Sequence, residues 1–262
     1  MNHNFIKECK TDIKIFKKDI QKGPFSVRLK NETLNSNTGI DVYVDAIYQG
    51  YLDACRTFSG TKLETDSPAV KELALQIKNF IDGKQDFSHE DLCKILLKTG
   101  ITYGQAQKIV NMAFKYLCCL SGAENYGEQF SKCHMPLDSI MLEWITRKIE
   151  ESPEKYGTIK RGKIPSWSAM SKAGNMLDKD GKYGYLFFTE KIDDICKAEN
   201  KAPLQLDFEN WRTMQLRLAA EAFLKAYYDE DNTSKAQYSK DLRRKTDYAV
   251  LLDVKNKVQQ YL

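Results

Sequence analysis

The sequence predicts an all-α fold on three observations. Apolar residues recur at helical spacing along most of the chain, start and stop residues bracket those stretches, and strand signals are confined to two short segments. Residues 25–29 alternate after Gly23-Pro24 as a short strand does, which allows at most a small β element near the N-terminus. Residues 42–58 carry helical periodicity. A helix over 68–81 opens on Pro68, in the first turn where proline is tolerated, and stops at Gly83. Ser88 caps a third helix with an acidic residue three positions on, close to a capping box, and its body runs to Lys98. The next helix spans roughly 105–120. It carries Ala106, Ile109, Val110, Ala113, Phe114 and Leu117 on one face, and Gln107, Lys108, Asn111 and Lys115 on the other. Pro136 opens a helix over 137–149, which places Asp138 in its first turn. Residues 155–167 read as a basic loop, 183–188 as a short extended piece, and 208–228 as a long amphipathic helix. A charged break at 229–232 then leads to a terminal helix ending at Leu262.

At 262 residues the chain fits one large domain or two interleaved lobes and is long enough to bury a sizeable core. A hydrophobic content of 42% excludes a disordered, charge-dominated chain. The net charge of +4 points to no partner, so any nucleic-acid face must come from local clustering. No run approaches the roughly 18 apolar residues of a membrane span, and the N-terminus lacks the apolar core of a signal peptide. A cytoplasmic protein with no membrane partner is expected. The 7 cysteines are scattered with no C-x-x-C, which argues against a disulfide framework and against structural zinc. Cys133-His134 has no further ligands in sequence, and neither His3 nor His89 has a partner there. No metal and no cofactor are expected.

Three groups of residues carry candidate chemistry. A tight turn between two helices lets backbone N–H groups at a helix start bind a phosphate without base preference, and Gly100 and Gly104 would permit that approach. Lys108 and Lys115 lie on one polar stripe. A lysine attacks the C1′ of a nucleotide only as the neutral amine, which requires desolvation or neighbouring cations. A carboxylate beside it, here Asp138, can assist the nucleophile and stabilise the positive charge that develops on the sugar as the base leaves. Lys155, Lys160, Arg161 and Lys163 interleave with Tyr156 and Trp167, a pattern in which cations grip phosphates while an aromatic stacks on a base or wedges into a gap.

Pro136-Leu137-Asp138 resembles the proline-x-aspartate motif of the helix-hairpin-helix DNA glycosylases. Thr99-Gly100-Ile101 and Ala106 match their hairpin, with Thr102 in place of its second glycine. Within that superfamily the chain most resembles the archaeal 8-oxoguanine glycosylases, in which the catalytic lysine lies in a lysine-apolar-apolar run like Lys108-Ile109-Val110 and is further from the aspartate than in the commoner branch. In that commoner branch the lysine stands where Gly104 is. The family's aspartate and tryptophan, four residues apart, match Asp207 and Trp211, and Met112 stands where the family has an aromatic on the opposite face of the base.

The resemblance implies two helical lobes with a cleft between them. One lobe would cover approximately 68–150, and the other 1–67 with 151–262, in a single interleaved domain. It implies no iron–sulfur cluster, since no run of closely spaced cysteines exists. It also implies a glycosylase, with lyase activity, that flips a base out of double-stranded DNA and excises it without a required protein partner. Lys108 would be the nucleophile, with Lys115 as the competing choice. Met112, Asp207 and Trp211 would line the base pocket, and Gly100, Gly104, Lys160, Arg161 and Lys163 would contact DNA. The modified base would be an oxidised purine, in repair, or a bulky modified base of phage DNA, in antiviral defence. Two other readings stand beside it: a non-catalytic helix-hairpin-helix module that binds DNA, and a helical protein-interaction domain.

Overall fold

A computed structural model describes residues 5–20, 32–55, 63–173, 177–228 and 256–262. The helices are α1 (Phe5–Glu8), α2 (Lys10–Ile20), α3 (Ile40–Cys55), α4 (Pro68–Ile81), α5 (His89–Leu97), α6 (Tyr103–Leu117), α7 (Gly127–Ser131), α8 (Ser139–Glu151), α9 (Pro153–Tyr156), α10 (Tyr185–Glu199) and α11 (Pro203–Tyr228). The protein is all-α, as the periodicity requires. Among the described residues the β content is an isolated parallel bridge between Thr33 and Ser121. The expected strand at 25–29, the break at 229–232 and most of the expected terminal helix lie outside the described residues.

The chain divides into two compact units, residues 1–209 and 210–262. α6 is the centre of the first. α3 and α5 pack against it, and α4 packs against both α3 and α5. Ala106, Ile109, Val110, Ala113, Phe114 and Leu117 are all fully buried, so the apolar face read from the sequence is the core face. Phe80 and Phe87 meet Phe114 edge-on at centroid distances of 5.9 and 5.8 Å, which ties α4 and the start of α5 to the same helix. The second unit contains the remainder of α11, on which Trp211 is partly buried.

Local capping explains where the central helices begin. Ser67 caps α4 and Ser88 caps α5, each accepting a backbone N–H of the first turn. α5 and α6 are joined by a tight turn in which Gly100 takes φ +84°. Thr102 then closes a capping box: its hydroxyl accepts from Gln105 N, and Gln105 Oε1 accepts from Thr102 N. That box starts α6 at Tyr103.

Two elements differ from expectation. Of residues 183–188, read as extended from their aromatic content, 185–188 instead form the first turn of α10, after Gly184 as its extended N-cap. Phe188, Ile192, Ile195 and Cys196 are buried at helical spacing, and their burial outweighs the local strand preference. Asp138 does not lie in the first turn of the helix after Pro136. It is the N-cap of α8, which begins at Ser139, because an aspartate satisfies the unpaired N–H groups of a helix start better from the cap.

Candidate active site

The polar stripe of α6 is buried along two turns. Gln107 and Asn111 are fully enclosed, and Lys108 and Lys115 keep 7% and 3% exposure. Residues 135–138 lie along the stripe and are hydrogen-bonded to it. Gln107 Nε2 donates to Leu137 O at 2.8 Å while its Oε1 accepts from Leu137 N at 3.2 Å. Asn111 Nδ2 donates to Met135 O at 3.1 Å. Pro136, between these two residues, brings no N–H that would need a partner. Side-chain amides thus pair backbone groups that burial would otherwise leave unsatisfied.

This clamp sets the position of Asp138. Its Oδ1 accepts from Ile140 N at 3.0 Å and from Met141 N at 2.9 Å, and its Oδ2 accepts from Lys108 Nζ at 2.6 Å. The pair keeps only 9% and 12% side-chain exposure. The Trp167 ring lies 6.0 Å from the same amine. Trp167 belongs to a 3-10 turn, Trp167–Ala169, that packs on the start of α6, where Thr102 Oγ1 donates to Ser168 O at 2.5 Å.

Gly104 serves this packing. A Cβ there would stand 2.0 Å from Trp167 O. The capping box also engages the Thr102 and Gln105 N–H groups, so the hairpin start offers fewer free donors than its glycines suggest. Gly104→Ala is expected to destabilise the fold by roughly 1–3 kcal/mol, as overpacking of a close contact does, read in a thermal or urea melt. An unchanged midpoint would mean that the turn yields without cost.

A second buried ion pair lies seven residues further on, about 10 Å along α6. Lys115 Nζ is 2.6 Å from Asp207 Oδ2, with side-chain exposures of 3% and 1%. The rings of Phe16 and Phe208 lie 4.3 and 5.2 Å from the amine. Burial pushes the Asp207 carboxyl up, and the Lys115 ammonium opposes that shift. Of the expected base-pocket residues, Asp207 is therefore turned to a cation inside the core, Met112 is buried on α6, and Trp211 lies in the second unit. Lys115 is enclosed by aromatic rings and a carboxylate, whereas Lys108 lies nearer solvent.

The basic loop is less free than its composition suggests. The Arg161 guanidinium donates to Glu150 at 2.6–2.8 Å and to Glu143 at 3.0–3.1 Å, which pins the loop to α8. Lys160 is exposed and Lys163 half-buried.

A cluster without local sequence signal lies beside the clamp. His89 stacks on His134 at 4.4 Å and on Tyr185 at 5.0 Å. Tyr185 Oη is 2.9 Å from His134 Nδ1 and 3.2 Å from His89 Nε2, and it accepts from Asn111 Nδ2 at 3.0 Å. One hydroxyl proton serves two imidazole nitrogens, so the network closes with one ring accepting and the other donating, both neutral. Burial lowers His134 to about 4 and pushes His89 well below its ordinary value, with the His134 charge as a further cause for His89. Both folded values lie below the unfolded one. Stability is therefore complete above the unfolded histidine value and is lost as pH falls from about 6.5 toward 4. The His134 share of that loss is expected to reach ~3 kcal/mol at the acid end. Urea melts at pH 7 and 4.5 should show it, with a smaller pH difference in His134→Gln; an equal difference in both proteins would assign the acid sensitivity to other groups.

Among the described residues no group of three or more His, Cys, Asp or Glu side chains is arranged to hold a metal ion. Cavities of about 420 Å³ against Phe80, Phe87 and Ile95, about 1040 Å³ against Val44, Tyr48 and Leu75, and about 680 Å³ against Lys84 and Lys132 all lie away from Lys108 and Asp138. Neither Lys108 nor Asp138 lines any of these three openings. Among the described residues no helix is long and apolar enough to cross a membrane. No protein-family model, curated protein or solved structure matches the chain.

Proposed function

We propose that this protein is a DNA glycosylase of the helix-hairpin-helix type with lyase activity, in which Lys108 is the nucleophile and Asp138 its carboxylate partner. One observation carries the reading: a lysine on the helix after the hairpin and an aspartate just after Pro136 meet at 2.6 Å in a nearly enclosed position. Two charges buried together are costly, and a hydrophobic pair of similar volume often serves stability as well or better. Their presence next to the surface favours a chemical use.

In the proposed reaction Asp138 accepts a proton from the Lys108 ammonium, and the free amine attacks C1′ of the extruded nucleotide. The Nζ–C1′ bond forms as the glycosidic C1′–N bond breaks, and the base leaves with the bonding electrons and takes up a proton. That proton is the one Asp138 took from Lys108, so the carboxylate is ionised again as positive charge builds on the sugar, and it offsets that charge. The sugar ring then opens to a Schiff base. A hydride donor reduces that species to a stable amine, so a duplex with a single abasic site, incubated with borohydride, should yield a covalent protein–DNA adduct. Absence of any adduct from the wild-type chain would remove the lyase reading and favour a non-catalytic module. Release of 8-oxoguanine, compared with release of a bulky modified pyrimidine, separates the repair reading from the antiviral one.

A further inference from the structure

Beside its own helix α6, the Lys108 amine meets the Asp138 cap at 2.6 Å and the Trp167–Ala169 turn, whose indole lies 6.0 Å away. The helix and the cap are held by helix packing and by paired backbone groups. The turn is a single 3-10 turn, seated through the Thr102 hydroxyl on Ser168 O and through the close approach that Gly104 allows. Its indole is only partly buried and lies 6.0 Å from Nζ, while the lysine side chain beneath keeps 9% exposure. A buried amine covered on one side by a short turn is reached by local opening of that turn, at far lower cost than by unfolding the helix that carries it.

We propose that Trp167 is a positioning residue that gates Lys108: its indole closes the solvent side of the amine, and a carbonyl-bearing ligand, such as the ring-opened sugar of an abasic nucleotide, reaches Nζ when the Trp167–Ala169 turn yields. The choice of ligand rests on the nucleophile reading above. The gate itself does not.

Formaldehyde with cyanoborohydride tests the gate without DNA. The amine adds to the aldehyde carbon, water leaves, and hydride reduces the resulting imine to a methylamine, which peptide mass mapping assigns to individual lysines. Lys115, buried still more deeply on the same helix, is the internal control, and Lys160 is the exposed reference. Applied to the full chain, Trp167→Ala should raise the methylation rate of Lys108 about tenfold or more while leaving that of Lys115 unchanged. Trp167→Phe, which keeps a ring over the amine, should stay near wild type. Gly104→Ala, which displaces the turn and leaves the indole intact, should raise Lys108 as well.

A Lys108 rate unchanged in both Trp167→Ala and Gly104→Ala overturns the proposal. So does a parallel rise at Lys108 and Lys115, which would mark general loosening of the core. Should Trp167→Ala fail to fold, Gly104→Ala alone gives the comparison: a Lys108 rate raised over that of Lys115 supports the gate, and an unchanged ratio overturns it. An absent borohydride adduct with abasic DNA would count against the proposed reaction and leave the methylation ratio standing, whereas a flat ratio counts against Trp167 whatever the adduct shows.

Discussion

Lys108→Gln is expected to abolish the borohydride-trapped adduct with abasic-site duplex, a loss of roughly three orders of magnitude or more, because the substituted side chain has no amine to form a Schiff base. The fold should survive. The glutamine amide can still donate to Asp138 Oδ2, and the other carboxylate oxygen keeps its two backbone donors from Ile140 and Met141. A thermal melt checks this before any activity is read. Lys115→Gln supplies the contrast, since that lysine is held between Asp207 and the rings of Phe16 and Phe208. It should lose stability and keep trapping in proportion to the folded fraction. The reverse pattern, with normal trapping by Lys108→Gln and none by folded Lys115→Gln, would move the nucleophile two turns along α6. Normal trapping by both would place the reactive amine elsewhere in the chain.

The two lysines show what sequence periodicity carries and what it omits. The apolar positions of α6 were readable because 3.6-residue spacing identifies the face that seeks a core. The polar stripe is a different matter. Spacing says that Gln107, Lys108, Asn111 and Lys115 share a side of the helix, but not whether another segment covers that side. The covering segment, residues 135–138, comes from far along the chain, and its fit depends on two amides reaching its backbone. Two amides four residues apart beside a lysine were the available signal, for such groups suit a buried backbone partner as well as they suit water.

Other features divide along the same line between local and long-range causes. The helix over 68–81 is legible to the residue because Pro68 and Gly83 act within one turn of its ends. Asp138 lies two residues nearer its helix start than Pro136 implies, because the aspartate cap and not the proline sets that start. Residues 185–188 fold as helix against their local strand preference, which only the buried positions of α10, further along, override. Arg161 looked like a free cation because nothing local links it to Glu143 and Glu150 on α8. The stacked His89, His134 and Tyr185 come from three separate segments, and no spacing rule connects them.

Asp138→Asn should slow base release by about 10²–10³-fold while changing affinity for DNA by no more than a few-fold, because the carboxylate acts on charge that appears in the transition state. The substitution is suited to the geometry. Asparagine is as good an N-cap as aspartate, so its carbonyl can still accept from Ile140 and Met141 and hold the start of α8. What it removes is the charge facing Lys108 at 2.6 Å. Breaking a buried pair costs roughly 3–5 kcal/mol when the remaining ion is trapped; Lys108 lies near the surface under a single turn, so the cost here should fall below that range. Turnover is therefore measured on protein that a melt shows to be folded. The double variant Lys108→Gln/Asp138→Asn tests whether the pair acts as a unit: its loss should be no larger than that of Lys108→Gln alone, since a carboxylate with no amine to assist has nothing further to lose. Independent, multiplying losses would separate the two residues functionally, and equal losses of binding and turnover in Asp138→Asn would reduce the aspartate to a helix cap.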